Sequence, residues 1–230
     1  MDDERRFFSA HKKNNYGDFS ENKSEAVMKI ICIGQNYLEH IKELNSAIPE
    51  EPIFFMKPDT ALILDGKPFY LPEFSKDIHY ECEIVLKINK AGKHIDEKFA
   101  HKYYDELTVG IDFTARDIQK QQKTKGLPWE KAKGFDGSAP MGKFVTKNKF
   151  EKMNNINFHL NINGKTVQKG NTSDLLFSFD KIISFISQFI TLKIGDLIYT
   201  GTPVGVGAVN IGDQLEAFLE GEKLLAFEVK

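Results

Sequence analysis

The 230-residue chain has little of several features that would point to a secreted or membrane protein. It contains only two cysteines, Cys32 and Cys82, and both stand within apolar runs. We therefore expect two buried free thiols in a reducing compartment rather than a disulfide. No apolar run reaches the roughly 18 residues of a membrane span. The longest candidate, IISFISQFITL, is too short and contains Gln188, so a membrane is not an expected partner.

An excess of charge of one sign is also missing. Lysine and arginine number 31 and aspartate and glutamate number 33, which gives a formal net charge of -2. A chain without a broad basic surface is not expected to bind nucleic acid. Hydrophobic residues make up 41% of the sequence, enough to bury the core of one domain. We expect a cytoplasmic protein that binds a small molecule.

The first 27 residues differ from the rest in composition. They are polar, mixed in charge and without the apolar core of a signal peptide. We interpret residues 1–27 as a flexible extension or one added for expression, and residues 28–230 as a single folded domain that begins with a strand at Met28. The alternative is a short arm that docks on a partner subunit, and the sequence does not decide between the two.

Strand patterns dominate the remainder. Short apolar runs bounded by glycine or proline, such as KIICIG and PIFFMKP, predict strands. The segment HYECEIVLKIN, residues 79–89, predicts one long strand, and Asn163-Gly164 between alternating segments predicts a hairpin turn. Helical patterns are too sparse for a regular doubly wound sheet. The fold class predicted is α+β, mostly β.

Three segments predict helices: NYLEHIKELNS, TARDIQKQQKTKG and DLLFSFDKIISFISQFITL. In the first, Asn36 and Glu39 have the spacing of a capping box. In the second, Thr114 is predicted to cap the start of the helix, and Gly126 is predicted to end it. Asp112 then lies where a strand meets a helix, a usual place for functional side chains.

Two glutamates interrupt the apolar run of residues 79–89. On a strand, Glu81 and Glu83 share one face, which also carries Val85 and Lys87. Carboxylates so close repel one another unless a proton, a lysine or a metal lies between them. Asp112 could supply a third carboxylate, and a divalent cation such as Mg²⁺ suits an oxygen-only site with open positions. A solvated strand face is the alternative for the glutamate pair alone.

Five motifs occur in one order: GQNYLEH, HYECEI, VGIDFTARDIQ, KGLPWEKAKGFDGSAPMG and TGTPVGVG. Together they resemble the fumarylacetoacetate hydrolase family, most closely its short acylpyruvase and oxaloacetate decarboxylase type, over residues 28–230. The resemblance implies a mixed β-roll or barrel with a few flanking helices. It also implies Mg²⁺ or Mn²⁺, a homodimer, and substrates that are 2-oxo acids with a second carbonyl group.

The resemblance also implies roles for individual residues. Glu81, Glu83 and Asp112 match the metal ligands, and His40 and Glu43 match a water-activating dyad. From the sequence itself, residues three apart share one face of a helix, so that a carboxylate could orient the imidazole. Without the resemblance, a surface histidine–glutamate pair is the better interpretation of this spacing.

Lys133 matches a lysine beside the metal, where it would offset the carboxylate charge and bind an enolate oxygen. Without the resemblance, Lys131 is an equal candidate. Arg116 and Gln119 match positions that face the substrate, and Thr202 matches a threonine that contacts it. The glycines of TGTPVGVG are not followed by the Lys-Ser/Thr of a phosphate loop, so nucleotide binding is not expected.

One residue departs from the family pattern. Gln35 stands where short members often carry arginine, in GRNY, and a glutamine binds a substrate carboxylate more weakly than an arginine does. The preferred diacid is therefore not predicted from this motif.

The leading functional hypothesis is hydrolytic cleavage of a carbon–carbon bond in a 2,4-dioxo acid such as an acylpyruvate. His40 and Glu43 would activate water, and the cation and Lys133 would stabilise the pyruvate enolate that leaves. Decarboxylation of oxaloacetate and isomerisation of a 2-hydroxy-dienoate use the same enolate and are the alternatives. A β-rich binding protein with a structural divalent ion is the non-enzymatic alternative.

Overall fold

The structure, a computed structural model, describes residues 29–64 and 66–230. The predicted extension over residues 1–27 and the predicted strand start at Met28 lie outside the described residues. Strands outnumber helices in the described part, so the predicted α+β, mostly β class is confirmed. The strands are β1 Ile30–Gly34, β2 Ile53–Lys57, β3 Leu62–Ile63, β4 Ile78–Tyr80, β5 Cys82–Ile88, β6 Tyr104–Ile111, β7 Thr114–Ala115, β8 Ala139–Pro140, β9 Val145–Thr146, β10 Asn157–Ile162, β11 Lys165–Asn171, β12 Leu197–Tyr199, β13 Gly207–Ala208, β14 Gln214–Leu219 and β15 Glu222–Glu228. The helices are α1 Leu38–Glu43, α2 Glu97–Ala100, α3 Arg116–Lys125, α4 Glu130–Lys133 and α5 Phe179–Phe189.

The largest sheet has six strands in the order β2-β1-β12-β5-β6-β9. Its neighbours are antiparallel except β1 and β12, which run parallel. A four-stranded sheet has the order β11-β10-β14-β15, and smaller sheets join β13-β4-β7 and β3-β8. Strand β5 lies inside the largest sheet, between β12 and β6, which places its side chains away from any sheet edge.

Both faces of the large sheet are buried around β5. Cys82, Ile84 and Leu86 pack in the larger of two hydrophobic clusters, and Val85 packs in the smaller one. This alternation is what strand geometry predicts. Glu83, on this strand, is therefore surrounded by protein and needs a compensating partner.

The sequence predicted the strands and hairpin better than the helix starts. Asn163 and Gly164 both have positive φ, 52° and 76°, as a two-residue hairpin turn requires. Gly126 ends α3 in the left-handed conformation, as predicted, but both predicted N-caps were wrong. Asn36 is buried, and its amide instead bonds the backbone of Phe177 and Thr200. Thr114 lies in β7, and helix α3 begins at Arg116 with no side-chain cap.

The prediction of one long strand over residues 79–89 was also inexact. The structure has two strands, β4 and β5, separated at Glu81. Because β4 pairs with β7 and β13 while β5 pairs with β6 and β12, the chain passes from one sheet into another at this glutamate. Both cysteines are free and buried, as predicted. None of the helices in the described residues is long and apolar enough to cross a membrane.

Candidate active site

Three carboxylates meet where strand β5 begins and strand β6 ends. Pairing of Cys82 with Ile111 aligns the start of β5 with the end of β6, and the Asp112 N–H donates to the Glu81 carbonyl at 2.8 Å. Glu81, Glu83 and Asp112 are 6%, 1% and 1% exposed. One oxygen of each lies within 4.8 Å of the others. The predicted metal ligands are therefore brought together by the sheet register.

Three cations surround this cluster. The Lys133 ammonium donates to Glu81 Oε2 and to Asp112 Oδ2, both at 2.7 Å. Arg116 bonds the other oxygen of Glu81. Lys57 Nζ lies 2.8 Å from Asp112 Oδ1. The repulsion expected between the carboxylates is thus offset by two lysines and an arginine, at distances typical of charge-assisted bonds.

These ion pairs shift the pKa values of their members. Burial alone would raise the pKa of Glu81, but Lys133 and Arg116 hold it well below its usual range. Burial alone would lower the pKa of Lys133, yet Asp112 and Glu81 raise it. Lys133 is therefore an ammonium ion over the physiological range, which suits it to donate a proton or a hydrogen bond rather than to act as a base.

Glu83 has a different environment from the other two carboxylates. Burial, then the charges of Asp112 and Glu81, raise its pKa well above the usual range, and a backbone N–H of Gly201, at 2.7 Å, is its hydrogen-bond donor. The negative charge of Glu83 is therefore less well compensated by nearby cations than the charges of Glu81 and Asp112. An all-oxygen donor set with such a deficit fits a hard divalent cation, and Glu81, Glu83 and Asp112 could hold one.

The glycines of TGTPVGVG bring backbone close to this cluster. Gly201 has φ +102°, and a Cβ there would lie 2.7 Å from the Cβ of Asn36. Gly205 has φ +103°, and its N–H donates to Glu43 Oε1 at 3.0 Å. The motif therefore supplies two N–H donors, one to a cluster carboxylate and one to the predicted dyad, which other residues would supply only with strain.

His40 and Glu43 face each other on helix α1. The imidazole Nδ1 lies 2.9 Å from Glu43 Oε2, and His40 is 4% exposed. If Nδ1 donates its proton to this carboxylate, Nε2 carries the free lone pair of the ring. The pair lies beside the carboxylate cluster, because His40 lines the same cleft as Glu81, Glu83 and Asp112.

The predicted substrate-facing residues also line this cleft: Gln35, Arg116, Gln119 and Thr202. Arg116 Nη1 donates to Gln119 Oε1 at 2.7 Å, so these two act as one unit. The Thr202 hydroxyl donates to the Cys82 carbonyl and accepts from Gln168, both at 2.9 Å. Its proton is therefore engaged by the protein, which favours a role for Thr202 in holding the start of β5.

Sequence reasoning missed several residues that build the site. Lys57 has a fully buried side chain and donates to three backbone carbonyls, those of Phe113, Lys133 and Ser138, besides its contact with Asp112. A lysine at the end of the apolar run PIFFMKP was a usable signal. Lys131, the competitor of Lys133, is exposed and does not line the cleft. Lys123 and Trp129, which do line it, had no distinguishing pattern.

Comparison with known proteins agrees with the motifs. Residues 29–229 match the family model described as fumarylacetoacetate (FAA) hydrolase C-terminal. The chain belongs to the fumarylacetoacetate hydrolase family. It is 41% identical over 201 residues to the mitochondrial oxaloacetate tautomerase FAHD1 of Mus musculus, covering 87% of this chain and 91% of that one. It is 41% identical over 198 residues to the mitochondrial oxaloacetate decarboxylase of Dictyostelium discoideum, with 86% and 91% covered.

A solved member of the family has the same fold. The fumarylpyruvate hydrolase of Pseudomonas aeruginosa, in complex with Mn²⁺ and pyruvate, superposes with a TM-score of 0.83 at 32% identity, covering 88% of this chain and 89% of that one. The relatives are thus tautomerases, decarboxylases and hydrolases, and this protein is an enzyme of the same family that acts on small acids. A divalent metal fits both the acidic triad and this relative.

Proposed function

We propose that this protein catalyses proton transfer on a 2-oxo acid through an enolate, and that oxaloacetate, interconverted between its keto and enol forms, is its substrate. The observation that carries the proposal is the Lys133 ammonium, which lies between Glu81 and Asp112 in the cleft that His40 also lines. Enolisation needs a base that removes a proton from carbon and a cation that stabilises the enolate oxygen, and the imidazole of His40 and the ammonium of Lys133 can supply them in one cleft. Similarity to an oxaloacetate tautomerase and to an oxaloacetate decarboxylase supports oxaloacetate as the substrate.

Mg²⁺ or Mn²⁺, when bound by Glu81, Glu83 and Asp112, supplies Lewis acidity to the 2-oxo group of the substrate. Lys133 contributes a second positive charge from the protein itself. Because two carboxylates keep it protonated, its ammonium can donate to the oxygen on which negative charge develops. In a buried cleft this interaction is stronger than it would be in water.

His40 moves the proton at carbon. With the Nδ1–H of His40 donating to Glu43, Nε2 accepts a proton from C3 of oxaloacetate. The electron pair of the broken C–H bond forms the C2–C3 double bond of the enolate. Lys133 delivers a proton to the O2 oxygen to complete the enol, His40 releases the C3 proton to solvent, and Lys133 takes a proton back from solvent. The reverse sequence returns the keto acid, so atoms and charges balance without another reactant. Glu43 stabilises the imidazolium that forms in between.

A second function, hydrolysis of acylpyruvates, is favoured by the same dyad. A base held by a carboxylate can take a proton from water as readily as from carbon, and the water would attack the distal carbonyl. Decarboxylation of oxaloacetate also forms an enolate, but loss of carbon dioxide needs no base to remove a proton. The hydrolytic hypothesis from the sequence therefore stays a prediction beside the proposed tautomerisation.

The proposal is tested by following the enol absorbance of oxaloacetate with and without the enzyme, in Mg²⁺ and in EDTA. We expect faster approach to the keto–enol equilibrium with Mg²⁺ and no acceleration with EDTA. A panel of acylpyruvates assayed under the same conditions measures hydrolysis. Acylpyruvate turnover without any effect on the oxaloacetate equilibrium would replace tautomerisation with hydrolysis.

Three finer predictions belong to the same proposal. Mg²⁺ is predicted as the resident metal, with Mn²⁺ as the alternative, because an all-carboxylate site suits either ion. A homodimer is predicted from the family resemblance, and light scattering of the purified protein measures it. The cytoplasm is predicted as the location, and imaging of a tagged chain in the source cells measures it.

A further inference from the structure

The cations of the cleft differ in how far the protein balances their charge. The lining includes Arg116, Lys123 and Lys133. Lys133 bonds two carboxylates, and Arg116 bonds Glu81. For Lys123, no carboxylate of residues 29–64 or 66–230 lies within ion-pair distance. Lys123 is thus available to neutralise a negatively charged group of a bound ligand.

Helix α3 points Lys123 along the cleft. Arg116, Gln119 and Lys123 stand at positions i, i+3 and i+7, which share one face of a helix. Seven residues correspond to about 10 Å along the helix axis. Long helical side chains lean back toward the helix N-terminus, so Lys123 reaches from the outer end of the face toward Arg116, at the inner end.

Lys123 is an exposed residue, and two observations place its ammonium at the mouth of the cleft. Its Nζ lies 5.1 Å from the centroid of the Trp129 ring, and Trp129 lines the cleft as well. Burial, then the charge of Arg116, lowers the pKa of Lys123, and the charges of Glu81 and Lys133 also act on it. The ammonium is therefore close enough to the carboxylate cluster to share its electrostatic field.

We propose that Lys123 is a specificity-determining residue that binds the second, distal carboxylate of a dicarboxylic substrate. The 2-oxo acid end lies at the cluster, and the far end of the molecule points along α3 to Lys123. This inference rests on the proposed function for the reacting end and adds the residue that recognises the second carboxylate, and so selects a diacid over a monoacid. Gln35, which also lines the cleft, is uncharged and supplies at most a neutral hydrogen bond to the same group.

The summed charge of the cleft residues and a bound divalent cation also favours a substrate with two carboxylates. With Glu81, Glu83 and Asp112 ionised, their three negative charges cancel the positive charges of Lys57, Lys133 and Arg116. A divalent cation adds two positive charges and Lys123 adds a third. A dianionic substrate then meets a site of opposite sign, and each carboxylate finds its own positive group.

The test compares two stable ligands that differ by one carboxylate. Malate is a four-carbon 2-hydroxy diacid, and 2-hydroxybutanoate is the monoacid of the same length. Their dissociation constants are measured by titration calorimetry in the presence of Mg²⁺ for the wild type, Lys123→Met and Lys123→Arg. Methionine keeps an unbranched apolar stem over Trp129, and arginine keeps the charge. Lys120→Met is the matched control, because Lys120 is exposed on the same helix and does not line the cleft.

We expect Lys123→Met to weaken malate binding by about ten- to hundredfold, the effect of losing one charge-assisted hydrogen bond. Binding of 2-hydroxybutanoate should stay within about twofold of the wild type. Lys123→Arg should retain most of the affinity for malate, and Lys120→Met should change neither ligand. Equal effects of Lys123→Met on the two ligands, or no effect on either, would overturn the proposal.

Failure of the proposed function would give a different result. If the wild type does not accelerate oxaloacetate tautomerisation but Lys123→Met still loses its preference for malate, the diacid site stands and the reaction assignment falls. If the wild type tautomerises oxaloacetate and Lys123→Met keeps the full preference for malate, the reaction stands and the role of Lys123 falls.

Discussion

The carboxylate cluster and helix α1 form two sides of one cleft and are built differently. Glu81, Glu83 and Asp112 lie on or beside central strands and are almost fully buried. Helix α1 has six residues and no side-chain cap at its start. Such a short helix has little stability of its own. Glu43, at its end, keeps 27% of its side chain exposed.

This difference assigns different tasks to the two sides. Groups fixed by sheet hydrogen bonds and by several ion pairs can hold a charge in one place, as an enolate site requires. A short helix, held to the TGTPVGVG loop by the bond from Gly205 to Glu43, can shift slightly as a proton is moved. Mutations in the cluster should therefore affect stability, metal binding and every reaction, whereas mutations in the helix should affect proton transfer alone.

The largest expected effect is that of Asp112→Asn. The change keeps the shape but removes the charge that faces Lys57 and Lys133. We expect no measurable Mn²⁺ binding by calorimetry and no turnover. The free energy of unfolding should fall by about 3–5 kcal/mol, because the buried Lys57 loses its carboxylate partner and Lys133 loses one of its two. Mn²⁺ binding equal to that of the wild type would show that Asp112 is not a ligand.

Lys57→Met should have the next largest effect. It leaves Asp112 with one lysine and removes the donor from three backbone carbonyls. We expect the free energy of unfolding, measured by urea denaturation, to fall by at most about 3–5 kcal/mol. Lys223→Met is the control. Lys223 pairs with Glu216 at 2.7 Å on the surface, and such pairs contribute about 0–1 kcal/mol. Similar losses of unfolding free energy in Lys57→Met and Lys223→Met would mean that Lys57 does not stabilise the cluster.

A smaller effect is expected from Glu43→Gln. The amide oxygen can still accept from His40 Nδ1, but the negative charge that stabilises the imidazolium is lost. We expect kcat for tautomerisation to fall about tenfold, with unchanged Mn²⁺ affinity and unfolding midpoint. A loss of Mn²⁺ affinity would show that the two sides of the cleft are not separable.

The sequence predicted the β-rich fold, the hairpin at Asn163-Gly164 and the position of the acidic cluster, because these depend on alternation and on local turn chemistry. It did not predict the starts of α1 and α3, since the Asn36 amide binds distant backbone and Thr114 pairs with His79 in a strand. The split of the strand at Glu81 also depends on distant pairing with β7 and β13.

The electrostatics of the site were the least predictable part. Alternation places Glu81 and Glu83 side by side, but it does not show which cations face them. Lys57 and Lys133 arrive from segments that are 76 residues apart and meet only in the fold. The choice of Lys133 over Lys131 needed the family resemblance, because both are lysines of one short helix, and only their burial separates them.

The central claim is that the cluster holds the enolate and His40 moves the proton. The measurement that tests it most directly is kcat for tautomerisation and for decarboxylation of oxaloacetate, at fixed Mg²⁺, in His40→Gln and in Lys133→Met. We predict that His40→Gln lowers tautomerisation by about 10²–10⁴-fold, the usual cost of losing a general base. Decarboxylation should fall much less, because release of carbon dioxide needs no base, and Lys133→Met should lower both. Equal losses of the two activities in His40→Gln would contradict the account.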